Sequence, residues 1–345
     1  MATTTHAPPS GAGTSRSGTA RRAYSLVLAV AVLVLAVFAS VMFGSRTTSI
    51  SDVLNVLSSA ADPNVTTIVE SRYPRTALGI LAGLCLAVAG TLMQGVTRNP
   101  LADPGLLGIN AGASASIVAA TAFLGASGST DTMWWALPGA LIAGLLVHAI
   151  GSAGSGSGPI RLVLAGAVLS AVLMAFIQAV TLSRPQVFDS YRYWVVGALG
   201  GRDFDVFLSV LPFAAVGLAI AAVLGPGLNA LALGDSTAAS LGSNPALVRA
   251  GGLLSATLLS AAATAAVGPI AFVGLAVPHV VRALVGVDFR VQIVFSALVG
   301  PALLLLADVV GRVVMQPQEL MVGVVTAFIG APALLIAVRR MRGNA

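Results

Sequence analysis

The stretch RNPLADPGLLGINAGAS, Arg98 to Ser114, decides how this chain is read, because it breaks a helix in the middle of apolar sequence. Pro100 and Pro104 each lack an amide donor and disfavour helix at the residue before them, so one helix ends near Thr97 and another starts at about Gly105. Around it stand uncharged runs of membrane-spanning length: 23–43, 76–97, 105–130, 132–159, 162–183, 206–234, 250–279, 291–307 and 320–338. A bilayer core of about 30 Å needs roughly 20 apolar residues of helix. Gly268-Pro269 divides the run from Ala250, which brings the expected spans to ten.

Composition agrees, with 57% hydrophobic residues, 9% charged and a mean hydropathy of +0.95, far from a soluble domain. The fold class expected is therefore all-α and polytopic. Residues 1–20, rich in Thr, Ser, Gly and Pro, read as a disordered tail, and 21–345 as one transmembrane domain. Arg21-Arg22 before an apolar run resembles a signal peptide, but no small-residue cleavage site follows, which favours an uncleaved first span.

All 18 basic residues are arginine. Without lysine there is no Walker A phosphate loop and no Schiff-base nucleophile, so any ATP that powers this protein binds to another chain. Cys85 is the single cysteine and lies within a span, which rules out an intrachain disulfide. The net charge of +6 is scattered over short loops, which favours a topology signal over a nucleic-acid surface. With the N-terminus inside, the inner segments hold eleven arginines and the outer ones seven, and most acids fall outside. That bias places both termini in the cytoplasm.

A broken backbone at membrane depth is tolerated where protein buries it or where it lines a watery cavity. The first alternative is a packed interhelical turn. The second makes Asn99, Pro100, Pro104, Gly105, Gly108 and Asn110 the wall of a translocation path. A similar Gly/Pro interruption, VGPIAFVGLAVPHVVR, runs from Val267 to Arg282, and paired interruptions in two halves point to transporters. Asn229–Pro245 reads as a short helix on the inner side, capped by Asp235 or Ser236 and ended by Gly242. Its readings are a handle for a cytoplasmic partner and a plain connector. Asp308 lies one turn from Arg312, which suits an i,i+4 ion pair, and His279 reads as a buried hydrogen-bonding residue. No second histidine or cysteine stands near His279 to complete a metal site.

Together SRYPRTALGILAGLCLAVAGTLMQGVTRNPLADPGLLGINAGA, RYWVVGALGGRDF, LALGDSTAASLG, GPIAFVGLAVPHVVR, LLLLADVVGR and GVVTAFIGAP resemble the membrane subunit of ferric-siderophore and cobalamin ABC importers, the FecCD permeases, from about Arg72 to Arg339. The resemblance implies a type II importer permease fold, with two permease subunits, identical or paralogous, forming a path at their interface in the cytoplasmic membrane. It implies an extracytoplasmic binding protein whose glutamates meet Arg72, Arg75 and Arg312. It also implies two cytoplasmic ATPases that carry the ATP and magnesium, leaving this chain no cofactor and no covalent chemistry. Leu233, Gly234, Asp235, Ser236, Ala239, Leu241 and Gly242, within 229–245, match the segment that docks the ATPase, and Ser155, Gly156 and Ser157 fall where the family has its cytoplasmic gate. Met321 stands where the family usually has proline at the start of the last span. A ferric siderophore is the cargo expected from the family's commonest use, with cobalamin and haem as alternatives. An ion-coupled secondary transporter is the rival class, although it usually keeps several ionisable groups at mid-membrane and this chain offers only Asp308 and His148. An intramembrane metalloenzyme would need a His-Glu-x-x-His helix, and His6, His148 and His279 lie far apart.

Overall fold

The computed structural model describes residues 14–44, 49–58, 62–152 and 158–343. In chain order the helices are α1 (Thr14–Met42), α2 (Ile50–Leu57), α3 (Pro63–Glu70), α4 (Arg72–Thr97), α5 (Ile109–Ala119), α6 (Gly128–Ser152), α7 (Gly158–Ser183), α8 (Pro185–Trp194), α9 (Phe204–Ala232), α10 (Asp235–Ser240), α11 (Pro245–Val267), α12 (Val273–Val285), α13 (Phe289–Val314) and α14 (Val322–Gly343). The first helix begins inside the stretch 1–20 expected to lack structure.

Among the described residues, seven helices are long and apolar enough to cross a bilayer, and three shorter apolar ones, Ile109–Leu124, Val273–Val285 and Val322–Pro332, stand in the order that completes ten crossings. This is an all-helical, multi-pass membrane protein. Contacts run in opposite order along two closely packed pairs. Along α4 and α13, Arg75 meets Asp308, Thr91 bonds Ser296, and Gly79 lies against Leu305, an antiparallel pair. Along α9 and α11, Gly217 faces Leu259 and Gly227 faces Val248, again antiparallel.

The most buried spans are α4 and α11, and the most exposed is α7. Lipid tails are as apolar as leucine, so association depends on close packing rather than on escape from water. The chain meets this with small residues. A methyl group on Gly90 would overlap the Gly274 carbonyl, and one on Gly83 would lie 2.7 Å from the Gly300 oxygen, so α4 meets α12 and α13 backbone to backbone. Prolines sit inside α6, α9, α12, α13 and α14, as membrane helices allow when neighbours re-satisfy the carbonyls.

Helix ends follow local chemistry. Asn244 caps α11 by accepting from the amides of Ala246 (3.1 Å) and Leu247 (3.2 Å), with Pro245 in the first turn. After α4 the chain turns through Arg98, and Asp103 caps a short 3-10 turn, Pro104–Leu107, by accepting from the Gly105 amide at 2.8 Å.

Candidate functional site

Ten crossings leave two ends of the bundle: one carries both chain termini, and the other carries the α1–α4 and α13–α14 connections. Each end holds a charged cluster.

At the end away from the termini, Arg75 grips Asp308 through Nε (3.0 Å) and Nη2 (2.8 Å) and reaches Glu319 through Nη1 (2.7 Å). Arg312 donates from Nη2 to Asp308 at 3.0 Å. It also donates to the Ser40 carbonyl (2.9 Å) and hydroxyl (3.1 Å), so it joins α13 to α1. Arg72 donates from Nη1 to the carbonyls of Val41 and Met42, both at 2.8 Å. These carbonyls close α1 and lack intrahelical donors, so a guanidinium is a natural cap for them. The three arginines surround one cavity of about 250 Å³, lined also by Ile68, Gly200, Gly201 and Glu319. Among the described residues, three guanidiniums stand against two carboxylates there, which leaves one net positive charge.

Sequence spacing finds only the Asp308–Arg312 half of this network. The side chains of Asp308 and Arg312 are both 1% exposed, whereas that of Glu319 is 34% exposed at the cavity mouth. Long cationic side chains at a span end ordinarily reach outward to head groups; here Arg72 and Arg312 turn inward, because unpaired helix-end carbonyls and a buried carboxylate offer better partners.

At the end that carries the termini, α10 projects between α9 and α11. Leu233 and Leu241 are each 64% exposed beside it, and Ala238 is its buried contact. Ser236, Ala239 and Gly242 are exposed and Gly234 is partly buried. Gly242 is left-handed (φ 78°), and the Ser243 amide reaches back to the Ala238 carbonyl (3.0 Å), a glycine-ended helix as read from sequence. The start differs. Neither Asp235 nor Ser236 caps α10; Gly234 occupies the position before the helix, with no side-chain bond. Asp235 instead accepts from Arg249 Nη2 (2.7 Å) and Nη1 (2.8 Å) and from Arg98 Nη2 (2.9 Å). Two arginines outcompete a backbone amide for one carboxylate, because each brings a full opposite charge and Arg249 takes both oxygens in a bidentate pair. Arg249's hydrogen bonds hold the Asp235 carboxyl below the usual carboxylate value; burial opposes them, and the charges of Arg249 and Arg98 add to the lowering. Arg98 was not singled out in the sequence. It closes α4 in the left-handed basin (φ 52°), which costs a residue with a side chain roughly 1 kcal/mol relative to glycine.

The interruption itself is divided. Asn99, exposed, accepts from the Leu101 amide at 2.9 Å and, with Met93, Thr97, Ala102 and Leu107, faces α7 across a cavity of about 410 Å³. Pro100 lines a second cavity of about 200 Å³ with Gln94, Arg98, Ala232 and Arg282. Pro104 and Gly108 are buried, Gly105 is partly buried, and none of the three lines either cavity. Asn110 accepts from the Thr264 hydroxyl at 3.0 Å, on the α11 side. Ser155, Gly156 and Ser157 lie outside the described residues. His279 donates from Nδ1 to the Leu275 carbonyl at 2.9 Å, a bond within its own helix.

Comparison with known proteins gives one consistent result. The profile of the FecCD transport family matches residues 32–340. The ferric enterobactin transport system permease protein FepD of Escherichia coli is 46% identical over 317 residues, covering 91% of this chain and 95% of that one. The probable siderophore transport system permease protein YfiZ of Bacillus subtilis is 38% identical over the same length and the same shares. Among solved structures, an inward-facing conformation of an ABC transporter of the metal-chelate type superposes with a TM-score of 0.79 at 25% identity, covering 92% of this chain and 99% of the other.

Proposed function

The chain belongs to the FecCD transport family, and on that premise we propose that it is the permease subunit of an ATP-driven importer that carries a ferric siderophore across the cytoplasmic membrane. The observation that carries this reading is near full-length similarity to relatives named for ferric enterobactin, siderophores and ferric citrate. It works as a pair with a second permease, identical or paralogous, and both termini lie in the cytoplasm, as the arginine bias favours.

Under this orientation the Arg72, Arg75 and Arg312 cavity opens outside and receives a carboxylate of the binding protein. Its net positive charge supports this, and so does the planar fork of arginine, which matches a carboxylate in a way that lysine does not. The incoming carboxylate meets the edge of Arg75 where Glu319 stands, because Asp308 is too deep to exchange. On the inner side, α10 with Leu233 and Leu241 offers a small apolar knob to an ATPase subunit, whose ATP and magnesium supply the energy that a lysine-free chain cannot collect itself. We assign the wall of the path to Asn99, Ala102 and Leu107, where the interruption meets α7 across the largest of the three cavities described above.

The chemistry of this chain is therefore positional. It exposes one end or the other of a path and leaves recognition of the cargo largely to the binding protein. The test is uptake in iron-starved cells that lack this gene. Loss of radioactive ferric siderophore uptake, with cobalamin uptake intact, is expected; loss of cobalamin uptake alone contradicts the cargo assigned.

A further inference from the structure

We infer that Arg98 is a positioning residue that ties the ATPase handle α10 to the interruption after α4, so that displacement of α10 reaches the path wall through the Arg98–Asp235 pair. The inference rests on the reading of α10 as the handle.

Three observations carry it. The first is the bridging role of Asp235: Arg249, close in sequence on the adjoining helix α11, holds both carboxylate oxygens, and Arg98, 137 residues away, shares Oδ1 with it. Arg249 thus fixes the carboxylate within the α10–α11 corner, and Arg98 links that corner to another part of the fold.

The second is the backbone of Arg98. A helix end in the left-handed basin is the usual place for glycine, yet the chain holds an arginine there (φ 52°, ψ 32°). The backbone alone would be better served by glycine, so the side chain is the reason for the residue.

The third is what lies on either side. Directly after Arg98 come Asn99 and Ala102, joined by an amide-to-carbonyl bond of 3.1 Å, and both line the cavity facing α7. Arg98 and Pro100 line the neighbouring cavity with Ala232, at the end of α9. Asn229, one turn earlier on α9, donates to Asp288 (2.7 Å) and accepts from the Phe289 amide (2.8 Å), so the other root of the handle is tied to α13. The handle is therefore anchored toward α13 by an amide and toward the interruption by a guanidinium. A half-exposed ion pair adds little to stability, so its loss should change transmission more than folding.

The test uses the full transporter in proteoliposomes, with binding protein and ATPase subunits present. Arg98→Gly removes the tie while giving the backbone its preferred residue. Melting temperature and ATPase association should match the wild type, and ATP should still be hydrolysed, while siderophore imported per ATP falls by about tenfold. Arg98→Lys, which keeps the charge, should restore most of that loss. Wild-type import per ATP in Arg98→Gly overturns the inference, as does a loss that follows a lowered melting temperature and is not rescued in Arg98→Lys. A separate variant, Leu241→Asp with Ala239→Asp, tests the handle. If the ATPase subunits stay bound and import continues, the handle reading fails; if they dissociate while Arg98→Gly is silent, the handle stands and the tie falls.

Discussion

Replacing Asp308 by asparagine is the sharpest perturbation of the charged cluster away from the termini. The substitution keeps the volume of the side chain, so no cavity contributes, and what changes is charge alone. Asp308 takes two arms of Arg75, at 3.0 and 2.8 Å, and one of Arg312, at 3.0 Å. Without the carboxylate, two guanidiniums face each other, one of them 1% exposed. Removing one partner of a buried ion pair costs about 3–5 kcal/mol, and the presence of two cations places this case at the upper end. Glu319→Gln is the control. That carboxylate reaches the same Arg75 at 2.7 Å but is 34% exposed, so its loss should cost about 0–1 kcal/mol. Denaturant-dependent loss of folded protein in detergent, read by tryptophan fluorescence or by the monodisperse fraction, separates the two. Equal destabilisation by both substitutions refutes the reasoning, because it would mean that burial does not set the strength of this network.

Other outcomes follow from packing and charge. Gly90→Ala should lower stability by about 1–3 kcal/mol or prevent folding, since the added methyl meets the Gly274 carbonyl of a packed backbone; unchanged yield and melting would contradict the α4–α12 contact. Cys85 is fully buried, so a water-soluble maleimide should label it only after denaturation. Asp235 titrates below the ordinary carboxylate value because of Arg249 and Arg98. A depressed folded value gives a contribution that is present above the ordinary value and lost as pH falls through the folded one. The effect of Arg98→Gly on import per ATP should therefore be flat from about pH 5 to 8, and a midpoint near neutrality would assign it to another group.

Much of the architecture was legible in the sequence, because in a bilayer the length and charge of each run nearly determine the helix. The ten spans include α12, although it is short, since Gly268-Pro269 divides the apolar run from Ala250 just before it begins. The helix break at Pro100 and Pro104 was equally plain. The charged clusters were legible only in part. One-turn spacing shows Asp308 with Arg312, but nothing in the spacing places Arg75 beside Asp308, because that contact depends on the antiparallel register of α4 and α13. Asp235 looked like a cap because an acid before a short helix usually is one; Arg98 and Arg249 converge on it only when α4 and α11 are packed together. The one hint in the sequence was that Asp235 is the sole acid in a loop whose neighbouring inner segments carry arginine.

The central claim is that this chain forms a path and draws its energy from a partner. Proteoliposomes holding the chain with its ATPase and binding protein should accumulate radioactive ferric siderophore only when ATP is supplied on the ATPase side, and should continue to do so when an uncoupler collapses the proton gradient. Accumulation by the isolated chain, driven by a proton or sodium gradient without ATP, would contradict it.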